Sequence, residues 1–213
     1  MKIKNDVINP IIAGFFAKSS LNLSENSMKN ITDFCYDLEK KFPKGRIRSN
    51  RGGWQLPLDL ENDKHTKMIF DEWLQKIQPF VLGFSNTIGI NEMVPLRLSG
   101  IWVNINRKGQ YNVSHIHPFS YISSVFYVKV PKSAENAGSL VIESPIEEKL
   151  YFYLPRTHDN SNSDVVTNNY TRPSYEIIPK ENEVLMFTSN LKHYVTPNLT
   201  DEDRISIAFN ISN

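Results

Sequence analysis

Apolar positions in the first ninety residues recur with a helical period. Ile31, Phe34, Cys35, Leu38 and Phe42 fall at i, i+3, i+4, i+7 and i+11, the spacing of one helix face. Pro43-Lys44-Gly45 ends that helix. A second helix is expected to start between Asn62 and Thr66, where Glu61 and Asp63 suit its positive end. It should run through Met68, Ile69, Trp73, Ile77 and Val81. Between the helices, Gly52-Gly53-Trp54 reads as a tight turn presenting an aromatic ring. Residues 1–20 hold an apolar run behind Lys2 and Lys4. Asp6 and Asn9-Pro10 spoil the pattern of a secretion signal, so a short opening strand is expected instead.

From about residue 94 the period changes to two. Ile101, Val103 and Ile105 alternate with Trp102, Asn104 and Asn106, and a strand is expected over 111–117 after the Lys108-Gly109 turn. Apolar runs follow at 122–130, 140–142, 150–154, 175–178, 184–187 and 204–211. Turn residues part them: Pro131, Asn136 to Gly138, Pro145, Pro179 and Pro197-Asn198. Helices followed by short strands predict a mainly β chain with flanking helices (α+β), its strands in a sandwich or barrel. The reading is one domain over 1–213, with helical support over about 1–92 and a β core over about 93–213. The polar stretch 157–171, with His158 inside it, reads as an insert and candidate lid.

The last strand puts Ile205, Ile207, Phe209 and Ile211 on one side and Arg204, Ser206, Ala208 and Asn210 on the other. Its polar side either meets solvent or lines the inside of a small barrel. In the second case Arg204 needs an anion, because an unpaired buried charge is expensive.

Composition narrows the classes. The chain has 213 residues, 40% hydrophobic and 22% charged, which is enough for a core and excludes disorder and coiled coils. A net charge of +1 gives no global attraction to nucleic acid or membrane, and nucleic acid is expected only as a substrate. No stretch supplies the ~20 apolar residues of a membrane span. One cysteine, Cys35, forbids an internal disulfide, suits the reducing cytoplasm and is expected to be buried and inert. Lys40, Lys41, Lys44, Arg46, Arg48 and Arg51 form either a solvated helix end and loop or a rim attracting an anionic substrate. Arg48, Arg51 and Trp54 are candidate substrate contacts. The sequence is compatible with a homodimer. It has no phosphate-binding glycine loop, C-x-x-C pair or G-x-S-x-G turn.

Candidate chemistry lies in histidines. His115 and His117 are two apart, so on a strand both face one way, together with Tyr111 and Val113. His193 follows a later strand. Imidazole suits iron, copper, zinc and nickel, and three converging rings would hold one divalent ion with positions open. Arg204 lies eleven residues beyond His193, with Ser206 on the same strand face.

That order of residues resembles the Fe(II)- and 2-oxoglutarate-dependent oxygenases, which carry H-x-D/E, a distal His, then an Arg about ten residues on, often as R-x-S. The matching positions are His115, His117, His193, Arg204 and Ser206. A closer resemblance is to a branch found largely in marine bacteria and their phages, with N-x-x-H-x-H-P and an R-I-S-x-x-F-N ending. Residues 102–118 and 203–210 carry those motifs, and the likeness runs over about 45–211. It implies a double-stranded β-helix (jelly-roll, cupin-like) core and a hydroxylase using Fe(II), 2-oxoglutarate and O2 on an unknown substrate. It also implies iron on His115, His117 and His193, and 2-oxoglutarate on Arg204 and Ser206 with contacts from Asn104, Asn106 and Tyr127. The departure is His117, where the family has a carboxylate. Either it is the third ligand, or it stands behind water or an acidic group such as Glu143. Three-histidine iron also occurs in cupin-type dioxygenases that need no oxo-acid. A metal-binding β-helix protein without catalysis is the alternative outside enzymes.

Overall fold

In the computed structural model, residues 14–144 and 174–213 are described. Helix α1 (Glu25–Lys41) begins at Ser24, whose Oγ accepts from Ser27 N, and the Glu72 carboxylate accepts from Ser24 N at 2.9 Å and Ser24 Oγ at 2.7 Å. Such a cap is worth ~1 kcal/mol. Ile31, Phe34 and Cys35 are buried on its inner face, as the spacing requires.

The expected second helix is two. Helix α2 (Lys64–Ile69) is capped by Asp63, and α3 (Asp71–Thr87) follows a break at Phe70. Asp71 and Glu72 give the new helix a favourable first turn, and the fully buried Phe70 ring fills the corner. The break turns Met68 outward, 69% exposed, whereas Trp73, Ile77 and Val81 stay inside. Aromatic rings then run edge to face from α1 into the sheet. Phe34 meets Phe70 at 5.9 Å, Phe70 meets Trp73 at 5.9 Å, and Trp73 meets Phe209 at 5.1 Å.

Eleven strands occur among the described residues: β1 (Phe16–Ser20), β2 (Asn50–Arg51), β3 (Trp54–Pro57), β4 (Arg97–Asn106), β5 (Tyr111–His115) and β6 (Ile122–Lys129), then β7 (Leu140–Glu143), β8 (Ser174–Ile177), β9 (Glu183–Thr188), β10 (His193–Val195) and β11 (Arg204–Ser212). They form two antiparallel sheets, ordered β1-β9-β6-β11-β4-β3 and β2-β5-β10-β7-β8. This is the jelly-roll, double-stranded β-helix core with flanking helices. The first ninety residues supply more than helical support, since β1 and β3 extend the larger sheet and β2 the smaller. The expected strand 150–154, the insert 157–171 and His158 lie outside the described residues, as do residues 1–13 of the segment in which an opening strand is expected.

Two apolar clusters result. One lies between the helices and the large sheet and holds Ile101, Val103, Ile105, Ile205, Ile207 and Phe209. The other joins the two sheets through Tyr127, Leu185 and Phe187 on one side and Leu140 and Ile142 on the other. Beside the second cluster the sheets part around a cavity of about 740 Å³.

Candidate metal centre

The strand expected over 111–117 stops at His115, ahead of Pro118, and the His117 N–H donates to Ser189 O instead of the ladder. A bulge also interrupts it: His193 pairs with His115 and Val195 with Asn112, so three steps of β5 oppose two of β10. The bulge places Asn112 and Val113 both on the cavity wall and leaves Tyr111 off it, against the simple alternation expected. His115 and His117 nonetheless converge, with ring centroids 5.1 Å apart, and His193 joins them at 4.4 and 5.0 Å. One nitrogen from each ring lies within 4.8 Å of the other two.

Each imidazole is held by its Nδ1, which leaves Nε2 for a ligand. His115 Nδ1–H donates to Val113 O at 2.7 Å and His193 Nδ1–H to Leu191 O at 2.9 Å. His117 Nδ1–H donates to Asn210 Oδ1 at 2.7 Å, with Ser123 Oγ 2.9 Å from the same nitrogen and also beside Ser189 Oγ. Such contacts fix the tautomer and raise ligand basicity. Trp102 packs on His117 and Phe187 on His193. Burial pushes all three imidazole pKa values down; for His117 the Asn210 bond opposes it, and for His193 the neighbouring His115 adds to it, taking it to about 3. At neutral pH three uncharged nitrogens face one point, the state a divalent cation needs. Glu143 is not among them: its carboxylate accepts from Ser114 Oγ at 2.7 Å and pairs with Lys192 at 3.0 Å.

The same cavity contains a buried cation. Arg204 is 2% exposed, its Nη1 donates to Ser206 Oγ at 3.2 Å, and its guanidinium lies over the Tyr127 ring at 5.1 Å. No carboxylate pairs with it among the described residues, and burial pulls its pKa down. Burial pushes the Tyr127 phenol up, with Arg204 opposing. Arg204 Nε, Asn104 Oδ1, Gln55 Oε1, Ser124 Oγ and Tyr127 Oη are buried without hydrogen-bond partners among the described residues, and all five residues line the cavity. Buried polar groups are normally satisfied, so a wall holding five open ones fits a polar ligand. A guanidinium with one open edge fits a carboxylate. The donor set therefore suits both a divalent metal and an organic dianion.

Of the other sequence candidates, Ser206 and Tyr127 line the cavity. Asn106 does not: it is buried against Gly53, opposite Arg204 in the ladder. Trp54 is no presented aromatic, since its ring is buried and its Nε1 donates to Phe42 O. Arg51 spends its guanidinium on the carbonyls of Arg48 and Asn50, whereas Arg46 and Arg48 line the cavity mouth. Sequence reasoning missed Gln55 and Ser124, and it gave no role to Asn210. Only Asn210 carried a signal, because it shares the β11 face of Arg204 and Ser206.

The family model described as "Putative 2OG-Fe(II) oxygenase" matches residues 100–210, more than half of the chain. The chain belongs to this 2-oxoglutarate- and Fe(II)-dependent oxygenase family, and Fe(II) and 2-oxoglutarate are its cofactor and co-substrate. Similar solved structures agree on the fold. A prolyl-4-hydroxylase of Pseudomonas putida superposes with a TM-score of 0.61 at 13% identity, covering 94% of each chain. A Trichoplax adhaerens prolyl hydroxylase in complex with a hypoxia-inducible factor peptide gives 0.63 at 13%, covering 92% of this chain and 83% of that one. A viral collagen prolyl hydroxylase of Paramecium bursaria Chlorella virus-1, in complex with 2-oxoglutarate, gives 0.57 at 14%, covering 92% and 94%. No curated protein matches the chain in sequence. No helix among the described residues is long and apolar enough to cross a membrane.

Proposed function

We propose that this oxygenase hydroxylates its substrate at an iron held by His115, His117 and His193, with the distal carboxylate of 2-oxoglutarate on Arg204 and Ser206. The observation carrying the reading is Arg204, a cation buried on the cavity wall with an open guanidinium edge and no carboxylate partner among the described residues. Iron, 2-oxoglutarate and O2 together supply oxidative decarboxylation of the oxo-acid to succinate and CO2, coupled to oxidation of the substrate. The protein's own residues do the positioning. Val113 O, Leu191 O and Asn210 hold the three Nε2 lone pairs inward. Arg204 and Ser206 give the oxo-acid one orientation, Tyr127 backs the guanidinium, and Asn104 offers a polar contact beside them. Val125, Leu140 and Phe187 keep that part of the wall dry. Because His117 replaces a carboxylate, the protein brings no negative charge to the metal. Charge balance then falls to the dianionic co-substrate, which strengthens the demand for Arg204. The buried Cys35, its thiol pKa raised by burial, is consistent with a cytoplasmic enzyme.

The test is uncoupled succinate formation from 2-oxoglutarate with Fe(II) and O2. Wild type should form succinate. Arg204→Ala should keep its iron and lose about 100-fold in kcat/KM for 2-oxoglutarate. His193→Ala should lose iron and activity together. Unchanged kcat/KM in Arg204→Ala would contradict the assignment.

A further inference from the structure

The cavity mouth carries two arginines that the cofactor assignment does not use. Arg46 and Arg48 line it, and neither guanidinium has a partner among the described residues. They differ from the other cations of the basic run. Lys40 pairs with Asp37, Lys41 lies over Phe42, and Arg51 is tied to backbone carbonyls. Neither Lys44 nor Arg51 lines the cavity.

The loop bearing them is built rather than loose. Asn50 is buried at its centre: its Oδ1 accepts from Arg48 N at 2.7 Å, and its Nδ2 donates to Arg46 O at 3.1 Å and to Gly53 O. Arg46 N donates to Gln55 O at 2.7 Å. Ser49 O accepts from Val113 N at 2.9 Å, and Val113 O in turn receives the His115 Nδ1 proton. One chain of hydrogen bonds therefore links the arginine loop to the strand that bears a candidate metal ligand. Such bracing holds charged groups at a fixed place relative to the reacting centre.

Charge on the wall points the same way. Among the described residues the cavity is lined by Arg46, Arg48 and Arg204 and by no carboxylate. A divalent metal and a dianionic oxo-acid cancel each other, and three neutral imidazoles add nothing. The loaded site keeps a positive excess, concentrated at its mouth next to the apolar surfaces of Ile47, Pro57 and Trp102.

Resting on the function proposed above, we infer that the substrate is a small organic anion, a carboxylate or phosphate with an apolar body. Arg46 and Arg48 hold its oxyanion, and Trp102 and Pro57 flank the body. Planar guanidinium forks suit either anion, and a low-dielectric cleft of one sign concentrates such ligands.

The test uses anaerobic protein loaded with Fe(II) and saturating 2-oxoglutarate, with 3-phenylpropionate, its neutral amide and phenyl phosphate as probes. Calorimetry reads their binding while the visible band of the iron–oxo-acid chelate is followed. Wild type should bind the acid or the phosphate about 10-fold tighter than the amide, with the band retained. The arm that binds tighter names the anion. In Arg46→Gln/Arg48→Gln, both exposed positions, the preference should fall to within about twofold while the amide binds as before. Lys44→Gln should leave the preference intact. Equal binding of all three probes by wild type, or a preference that survives the double substitution, overturns the inference. So does a probe that erases the band, since it then competes at Arg204. A wild type with no band at all defeats the oxo-acid assignment itself and this inference with it.

Discussion

Strand β11 buries both of its faces where it begins, and to opposite ends. Ile205, Ile207 and Phe209 are fully buried against the helices, in a cluster where Trp73 meets both Phe126 and Phe209. Arg204 and Ser206 are 2% exposed on the other face, yet there the groups are polar and valences stay open. On the helix side burial stabilises, through apolar area and ring packing. On the cavity side burial costs free energy, because a guanidinium has left water without gaining a carboxylate among the described residues. In the function proposed, one element carries the fold on one side and a receptor for an anion on the other, and burial alone does not tell them apart. Open hydrogen-bonding capacity on the side chains of β11 itself does.

Substitutions on the two faces should separate in sign. Phe209→Ala removes a ring from the packed face and should cost about 3–5 kcal/mol of stability, read as a fall in the denaturation midpoint. Its 2-oxoglutarate affinity, measured where the variant is still folded, should stay near wild type. A cost under about 1 kcal/mol would mean that β11 is not the centre of the helix-side core.

A smaller effect belongs to the histidine side and appears with pH. His193 has a folded pKa of about 3 against the ordinary 6.5, lowered by burial. Above pH 6.5 both folded and unfolded states keep it neutral, and its favourable contribution is fully present. Between 6.5 and 3 the unfolded chain takes the proton first, so stability of metal-free protein should fall as pH drops, by up to about 1.4 kcal/mol per unit for this group. The downward shifts of His115 and His117 act in the same direction. Thermal melts between pH 7.5 and 5.5 should show the slope, and His193→Leu should flatten it in part. A metal-free melting temperature that rises on acidification would contradict the burial of neutral imidazoles.

Much of this was legible in the residues, for identifiable reasons. Alternation along 204–211 separated the apolar from the polar face because strand geometry enforces a period of two. It could not say whether the polar face met water or a cavity. That depended on the smaller sheet, whose strands β2 and β10 are too short to leave a periodic trace. Convergence of His115 and His117 was expected for a partly mistaken reason: the strand ends at His115, and the Asn210 and Ser123 contacts bring the second ring inward. The helix over 62–81 hid its break, since Phe70 satisfies the apolar pattern of both halves. Gln55 was invisible because its importance comes from its place on the cavity wall, which no local pattern records, and Asn50 because a side chain that bonds its own loop, two to four residues away, leaves no periodic trace.

The central claim is that Arg204 is held in the interior for an anion and against the interest of stability. Arg204→Met keeps the volume and removes the charge, so the decisive measurement follows the chelate band and the denaturation midpoint of this one variant, with Fe(II) and 2-oxoglutarate under anaerobic conditions. The account predicts that iron still binds, that the band is lost at wild-type concentrations of 2-oxoglutarate, and that ligand-free stability is unchanged or higher by about 1–4 kcal/mol. A variant that keeps the band at wild-type affinity, or that loses several kcal/mol of stability, would show that Arg204 serves the fold and not the ligand.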